Sequence, residues 1–237
     1  MAAGAINTLV GSGTLITFPV LLAFGYSPVT ANVSNAIGLV PGSVAGAIGY
    51  RRELAGQRTR VLRFGAASVL GGITGAALLL LLPQSAFEAI VPVFISIALV
   101  SIVLQPRLDR LVAKHRPAPE THGTGLPRVL VYLAGVYGGY FGAAQGILLL
   151  AILGAAVPDD LQRLNALKNV LAAVVMAVAA LVFIAVANVA WGPAALIAAG
   201  SVVGAQLAAR YGRRLSPQAL RAVIVAVGIA AIVQLVT

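Results

Sequence analysis

The residue best equipped for chemistry in this chain is Lys168, in Asn165-Ala166-Leu167-Lys168-Asn169 at the head of a long apolar segment. An ionisable side chain inside a membrane-length apolar segment costs about 2.5–3.5 kcal/mol on insertion scales and marks a functional position by default. A cation there suits an anionic guest; the plainer alternative is a long side chain that snorkels to the headgroups near Arg163. Two glycine-rich breaks interrupt other apolar segments midway: Gly11-Ser12-Gly13, and Gly138-Gly139-Tyr140-Phe141-Gly142-Ala143-Ala144-Gln145-Gly146. A helix that restarts after a break exposes unpaired N–H groups at the positive end of its dipole, which favours anions. Half-helices starting near Gly13-Thr14 and Gly146-Ile147 would aim those groups at one shared midplane site, where Ser12, Thr14 and Gln145 add side-chain donors. Asn32, Asn35, Asn165 and Asn169 either extend this polar lining or bond between helices. Other glycine pairs, Gly42 and Gly46, Gly71 and Gly75, Gly200 and Gly204, have the spacing of close helix packing.

The chemistry on offer is electrostatic binding, not bond-making. Glu53, Asp109 and Glu120 fall in polar loops, and Glu88, Asp159 and Asp160 at segment edges, so the usual mid-membrane carboxylate proton relay is missing. His115 and His122 stand in a hydrophilic stretch without metal-ligand spacing, and there is no cysteine to supply a thiolate, a nucleophile or a disulfide. Gly11-Ser12-Gly13 is not a phosphate loop, because no Gly-Lys-Ser/Thr follows and no strand precedes it. No nucleophile–base–acid set can be assembled, so an enzyme is not expected. Neither a cofactor nor a metal is implied.

The elements that must hold these residues follow from composition. Of 237 residues 60% are hydrophobic and only 9% charged, with a mean hydropathy of +1.00. An ordinary soluble domain carries about 25% charged residues, and disorder needs low hydrophobicity. Both are excluded, and the chain reads as an all-α polytopic membrane protein. The net charge of +10 is better explained by basic cytoplasmic loops than by nucleic acid. No basic region precedes the first apolar run, so a cleaved signal peptide is not expected.

Charge-free runs cover 1–50, 64–87, 89–106, 129–158, 169–209 and 222–237. With about 20 residues per span, they hold eight hydrophobic segments near 3–25, 29–50, 64–82, 88–105, 129–154, 164–187, 193–209 and 218–236. The expected organisation is an N-terminal repeat of four segments (1–105), a polar cytoplasmic linker (106–128) and a C-terminal repeat of four (129–237). The first segment of each repeat is broken by glycines. The second carries Asn32 and Asn35, or Asn165 and Asn169, near its start. If all eight segments cross, one side carries ten Lys/Arg and the other six. If segments one and five are instead re-entrant, the halves are inverted and all sixteen Lys/Arg lie on one side. The positive-inside rule favours the second arrangement, which makes loop 51–63 and the linker cytoplasmic. Trp191, Tyr26, Tyr50 and Tyr211 near segment ends fit interface anchoring.

At these positions the sequence resembles a known family. Asn7-Thr8-Leu9-Val10-Gly11-Ser12-Gly13-Thr14-Leu15-Ile16-Thr17-Phe18-Pro19 is similar to the first motif of the TauE/SafE sulfite-exporter (TSUP) family. Ala31-Asn32-Val33-Ser34-Asn35-Ala36-Ile37-Gly38, leading to Arg51-Arg52-Glu53-Leu54, resembles its next element. Gly138–Gly146 and Leu167-Lys168-Asn169-Val170 repeat the pattern. The resemblance implies a multi-pass inner-membrane carrier for sulfite, sulfonates, related organosulfur compounds or carboxylates. Its partners would be a small anionic substrate and the lipid bilayer; assembly with further copies is left open. In two respects the sequence departs from the family pattern. The first half-segment begins almost at Met1, where members have several more residues, which points to a start upstream; and Ser12 makes the first break less glycine-rich.

Overall fold

A computed structural model describes residues 1–114 and 125–211, together with Val225, Ala226 and Ile229. The described residues fold into nine helices: α1 (Ala2–Leu9), α2 (Thr14–Ala23), α3 (Pro28–Gly49), α4 (Arg58–Leu81), α5 (Gln84–Lys114), α6 (Gly125–Tyr140), α7 (Gln145–Ala156), α8 (Leu161–Val186) and α9 (Trp191–Tyr211). Local chemistry sets their starts. Pro28 opens α3 at a position where its missing N–H costs nothing. Asp160 caps α8, its Oδ1 accepting from the N–H groups of Gln162 at 2.9 Å and Arg163 at 3.0 Å.

Four helices are long and apolar enough to cross a membrane by length and composition: 58–81, 84–108, 161–186 and 191–208. Their outer faces carry exposed Leu70, Leu81, Val93, Val100, Leu181 and Leu196, a surface suited to lipid and not to water. Both flanking helices reach into the range 106–128 that composition marks as the linker. Helix α5 runs on through Pro106 to Lys114, and α6 begins at Gly125; Arg107 and Arg110 ride its polar end. His115, His122 and nearly all of segment 218–236 lie outside the described residues.

Helix α6 lies along α4 in the same direction. A Cβ on Gly71 would come within 2.8 Å of Gly135 Cα, and one on Gly75 within 2.7 Å of the Tyr140 N. Helix α1 lies similarly on α9, Gly4 against Ser201. Helix α3 packs on α9 and α4 packs on α8. The core beside the second break is aromatic: Phe18 of α2, Phe87 and Phe94 of α5, and Tyr140 and Phe141 meet at ring separations of 5.3–6.3 Å.

The ends of the bundle differ chemically. At one, Arg60 of α4 pairs with Asp159 in the α7–α8 turn at 2.5 Å, and Arg163 with the same carboxylate at 2.8 Å. Gln57 Nε2 donates to the Arg163 carbonyl, and Arg163 Nη2 to that of Ala55. This is the basic end. At the other end, neutral in that among the described residues it holds no Lys or Arg and only Glu88 as a charge, the Ala190 N–H donates to Ser34 Oγ at 2.9 Å, joining the α8–α9 turn to the first turns of α3. Helices α3 and α8 therefore run in opposite directions.

Candidate functional site

Both glycine breaks are real chain breaks. Between α1 and α2 the backbone turns at Gly11, φ +80°. Between α6 and α7 it turns at Gly142, φ +77°, and Ala144, φ +59°. An alanine in the left-handed region costs roughly 1–2 kcal/mol, a strain the surrounding packing must hold. The second break is narrower than its glycines suggest, because Gly138 and Gly139 remain helical in α6. Gly139 lies against the Gly72 carbonyl of α4, and Gly138 leaves room for the Gln145 amide. These two glycines serve packing.

The two breaks touch each other. A Cβ on Gly11 would sit 2.6 Å from Gly146 Cα, so the start of α7 rests on the first break. Beside this junction is a cavity of about 10 Å³, walled by Asn7, Thr8 and Gly11, by Ser43 and Gly46 of α3, by Gly142, Gln145 and Gly146, and by Lys168, Asn169, Ala172 and Met176 of α8. That is about the space one water needs. Lys168 is 2% exposed and Asn169 7%. Asn169 Nδ2 is buried without a hydrogen-bond partner, a donor still available to a guest. Among the described residues no carboxylate lines the cavity.

The other polar groups on its walls are held in place. Asn7 Nδ2 donates to Ser43 Oγ at 2.8 Å, while Asn7 Oδ1 accepts from the Gly13 N–H at 3.4 Å, tying α1 to both α3 and the first break. Ser43 Oγ lies 3.0 Å from the Leu39 carbonyl and 3.1 Å from Met176 Sδ. Gln145 Nε2 donates to the Ala134 carbonyl at 3.2 Å, which clamps the start of α7 onto α6.

Of the residues singled out by sequence, Gln145, Gly146, Lys168 and Asn169 come together on the cavity wall. Thr14 and Asn35 meet elsewhere: Asn35 Nδ2 donates to Thr14 Oγ1 at 3.2 Å, and Thr17 Oγ1 donates to Asn35 Oδ1. Asn32 Nδ2 donates to the Tyr140 carbonyl at 2.9 Å, a bond between helix and break. Ser12 is fully buried, its hydroxyl without a partner, and Gly13 lies under Ala3 and Asn7 of α1. Asn165 is half-buried and off the cavity wall. Sequence reasoning did not select Asn7, Thr8, Ser43 or Met176. Their only signal was polarity, or a thioether, within charge-free segments. Among the described residues no cluster of three metal-ligating side chains occurs.

At the basic end, burial alone would raise the Asp159 carboxyl. Hydrogen bonds from Arg163, the Asp160 N–H and Arg60 outweigh it and hold the group below its ordinary value.

Comparison with known proteins agrees with this architecture. The family model for the sulfite exporter TauE/SafE matches residues 1–235. The chain is 26% identical to the probable membrane transporter protein YfcA of Escherichia coli K12 over 230 residues, 96% of this chain and 83% of that protein. It is 25% identical to the probable membrane transporter protein ORF9 of a Sinorhizobium species over 233 residues, 98% of this chain and 88% of that protein. No solved structure matches.

Proposed function

Because the chain belongs to the sulfite exporter TauE/SafE family of membrane transporters, we propose that it carries a small anion, sulfite, a sulfonate or a related carboxylate, through the cavity where its two helix breaks meet. One observation carries this reading. Lys168, a cation 2% exposed within an apolar span, lines that cavity beside the unpartnered Asn169 amide. A buried cation and a free donor around the junction of two broken helices form an environment for negative charge, and irregular backbone at this depth is tolerated where it lines a cavity. At about 10 Å³ the cavity suits a closed state of a carrier, which must widen to admit an oxyanion. Gln145 and Gly146 would contact the anion with Lys168 and Asn169. Ser12, Gly13, Thr14, Asn32, Asn35 and Asn165 complete the polar surroundings of the route.

The same structure supports two inverted repeats. Helix α8 starts 133 residues after α3, and α9 starts 133 residues after α4. These counterparts have their starts at opposite ends of the bundle. Helix α6 leaves the basic end parallel to α4, and α7 ends next to Asp159 at that same end. This favours a re-entrant pair with the basic end facing an inner-membrane cytoplasm. An anion leaving an interior-negative cell is driven by about 2.3 kcal/mol per charge per 100 mV, so export needs no carboxylate relay.

The test is flux in proteoliposomes with sulfite, methanesulfonate, acetate and lactate compared. Saturable flux of the sulfur oxyanions supports the reading. A protein that moves none of the four is a membrane scaffold, the competing reading.

A further inference from the structure

The equal spacing of helix starts pairs residues across the repeats. A shift of 133 carries Asn32 to Asn165, Ser43 to Met176 and Asn35 to Lys168. The helices that follow the breaks pair Thr14, first residue of α2, with Gln145, first residue of α7. Ser43 and Met176 are themselves in contact at 3.1 Å, as expected of counterparts that meet on a twofold axis. The counterparts of Lys168 and Gln145 are therefore Asn35 and Thr14, with Thr17 hydrogen-bonded to Asn35 beside them. Lys168 lies about 10 Å along α8 from the basic end, and Asn35 about 10 Å along α3 from the neutral end. They stand at different depths, on opposite sides of the touching breaks.

We propose that Thr14, Thr17 and Asn35 form a second, uncharged anion subsite, the mirror image of the Lys168 cavity, which the anion occupies between the breaks and the neutral end. Asn35 and Thr14 are each 1% exposed. In this conformation the three side chains satisfy one another, which is the closed form of such a subsite. Thr17 also lines a groove of about 260 Å³ between α2 and α9 that runs past Leu21, Phe24 and Tyr26 to Pro193. Its walls, Val20, Phe24 and Leu196 among them, are apolar and face the lipid side, so the groove borders the subsite without offering an anion a path. At the opposite end the position of α4 that corresponds to Pro193 carries Arg60, engaged with Asp159. The difference in charge has a transport consequence. A fixed cation binds the anion from the basic end, and a neutral hydroxyl–amide group receives it without retaining it. Two lysines would trap the anion; two neutral lobes would not gather it.

This inference rests on the carrier reading, and the experiment separates the two. Radiolabelled sulfite is used both for equilibrium binding to detergent-solubilised protein and for flux into proteoliposomes. Lys168→Gln is expected to weaken binding at least tenfold. Asn35→Asp and Asn35→Leu are expected to bind sulfite within twofold of the wild type yet to lose flux at least tenfold. If either proves not to be monodisperse, Thr17→Val, at a half-buried position, is expected to bind normally and lose flux about threefold. Flux within twofold of the wild type in folded Asn35 variants, or in Thr17→Val where it stands in for them, overturns the second subsite alone. So does a binding loss in them equal to that of Lys168→Gln, which would mean a single site. Wild-type protein that neither binds nor moves sulfite overturns the carrier reading for this anion and the subsite with it.

Discussion

At the scale of single residues, charge is scarce and its placement is informative. Among the described residues, Lys168 shares its cavity wall with glycine, amide and hydroxyl groups and with no carboxylate. A second residue-level consequence belongs to Asp159. A carboxyl whose pKa is lower folded than unfolded adds stability above its unfolded value, near 3.9, and loses it as pH falls through the folded one. The Arg60–Asp159–Arg163 clasp should therefore persist throughout the neutral range and dissolve only in acid. Asp159→Asn is expected to unfold at lower temperature than the wild type above about pH 5, the difference vanishing in acid once the Asp159 carboxyl is protonated in the folded state as well. Melting curves in detergent across pH check this; a constant difference down to the acid limit would mean that the charge is not what stabilises the turn. Lys168 and the glycine breaks were legible in the sequence because each violates the composition around it. Asn7 and Ser43 were not, since a lone amide or hydroxyl in an apolar run looks the same whether it faces a cavity or a neighbouring carbonyl.

At the scale of elements, glycine has two jobs that sequence alone does not separate. Gly11 is required where it is: its φ is +80°, and a Cβ there would sit 2.6 Å from Gly146 Cα, which leaves no room for a side chain. Gly71, Gly75 and Gly139 let α4 and α6 approach backbone to backbone. Gly75→Leu is expected to wedge these helices apart and cost at least about 1–3 kcal/mol, seen as a lower melting temperature. Gly65→Ala in the same helix, where a Cβ meets nothing within 4 Å, should be neutral or slightly stabilising. Equal losses in both would remove the packing explanation. The bounds of α3 and α8 were readable to within three residues from the segments near 29–50 and 164–187. The extent of α5 was not, because Pro106 and the charges after it suggested a linker, whereas a helix leaving the apolar layer tolerates both. Under the proposed repeats, helix starts 133 residues apart pair Asn35 with Lys168, although the asparagines near both starts suggest Asn169.

At the scale of the whole molecule, the proposed inverted arrangement takes the charge balance as an orientation signal. The ion pairs put the Arg58–Arg63 region beside the α7–α8 turn, whereas eight simple crossings would put them on opposite sides. In a chain free of cysteine, Arg58→Cys and Gln162→Cys should be labelled from one side of sealed vesicles and Asn188→Cys from the other. Labelling of Asn188→Cys together with Arg58→Cys, and of Gln162→Cys from the far side, would restore eight crossings. The central claim, that an anion passes the buried cation where the two breaks meet, is tested most directly by one comparison. Radiolabelled sulfite flux is measured in oriented proteoliposomes carrying wild type or Lys168→Ala at matched protein density and under an imposed potential. The account predicts saturable, potential-driven flux in the wild type and at least a tenfold loss in Lys168→Ala with its fold intact. Equal flux in the two would contradict it.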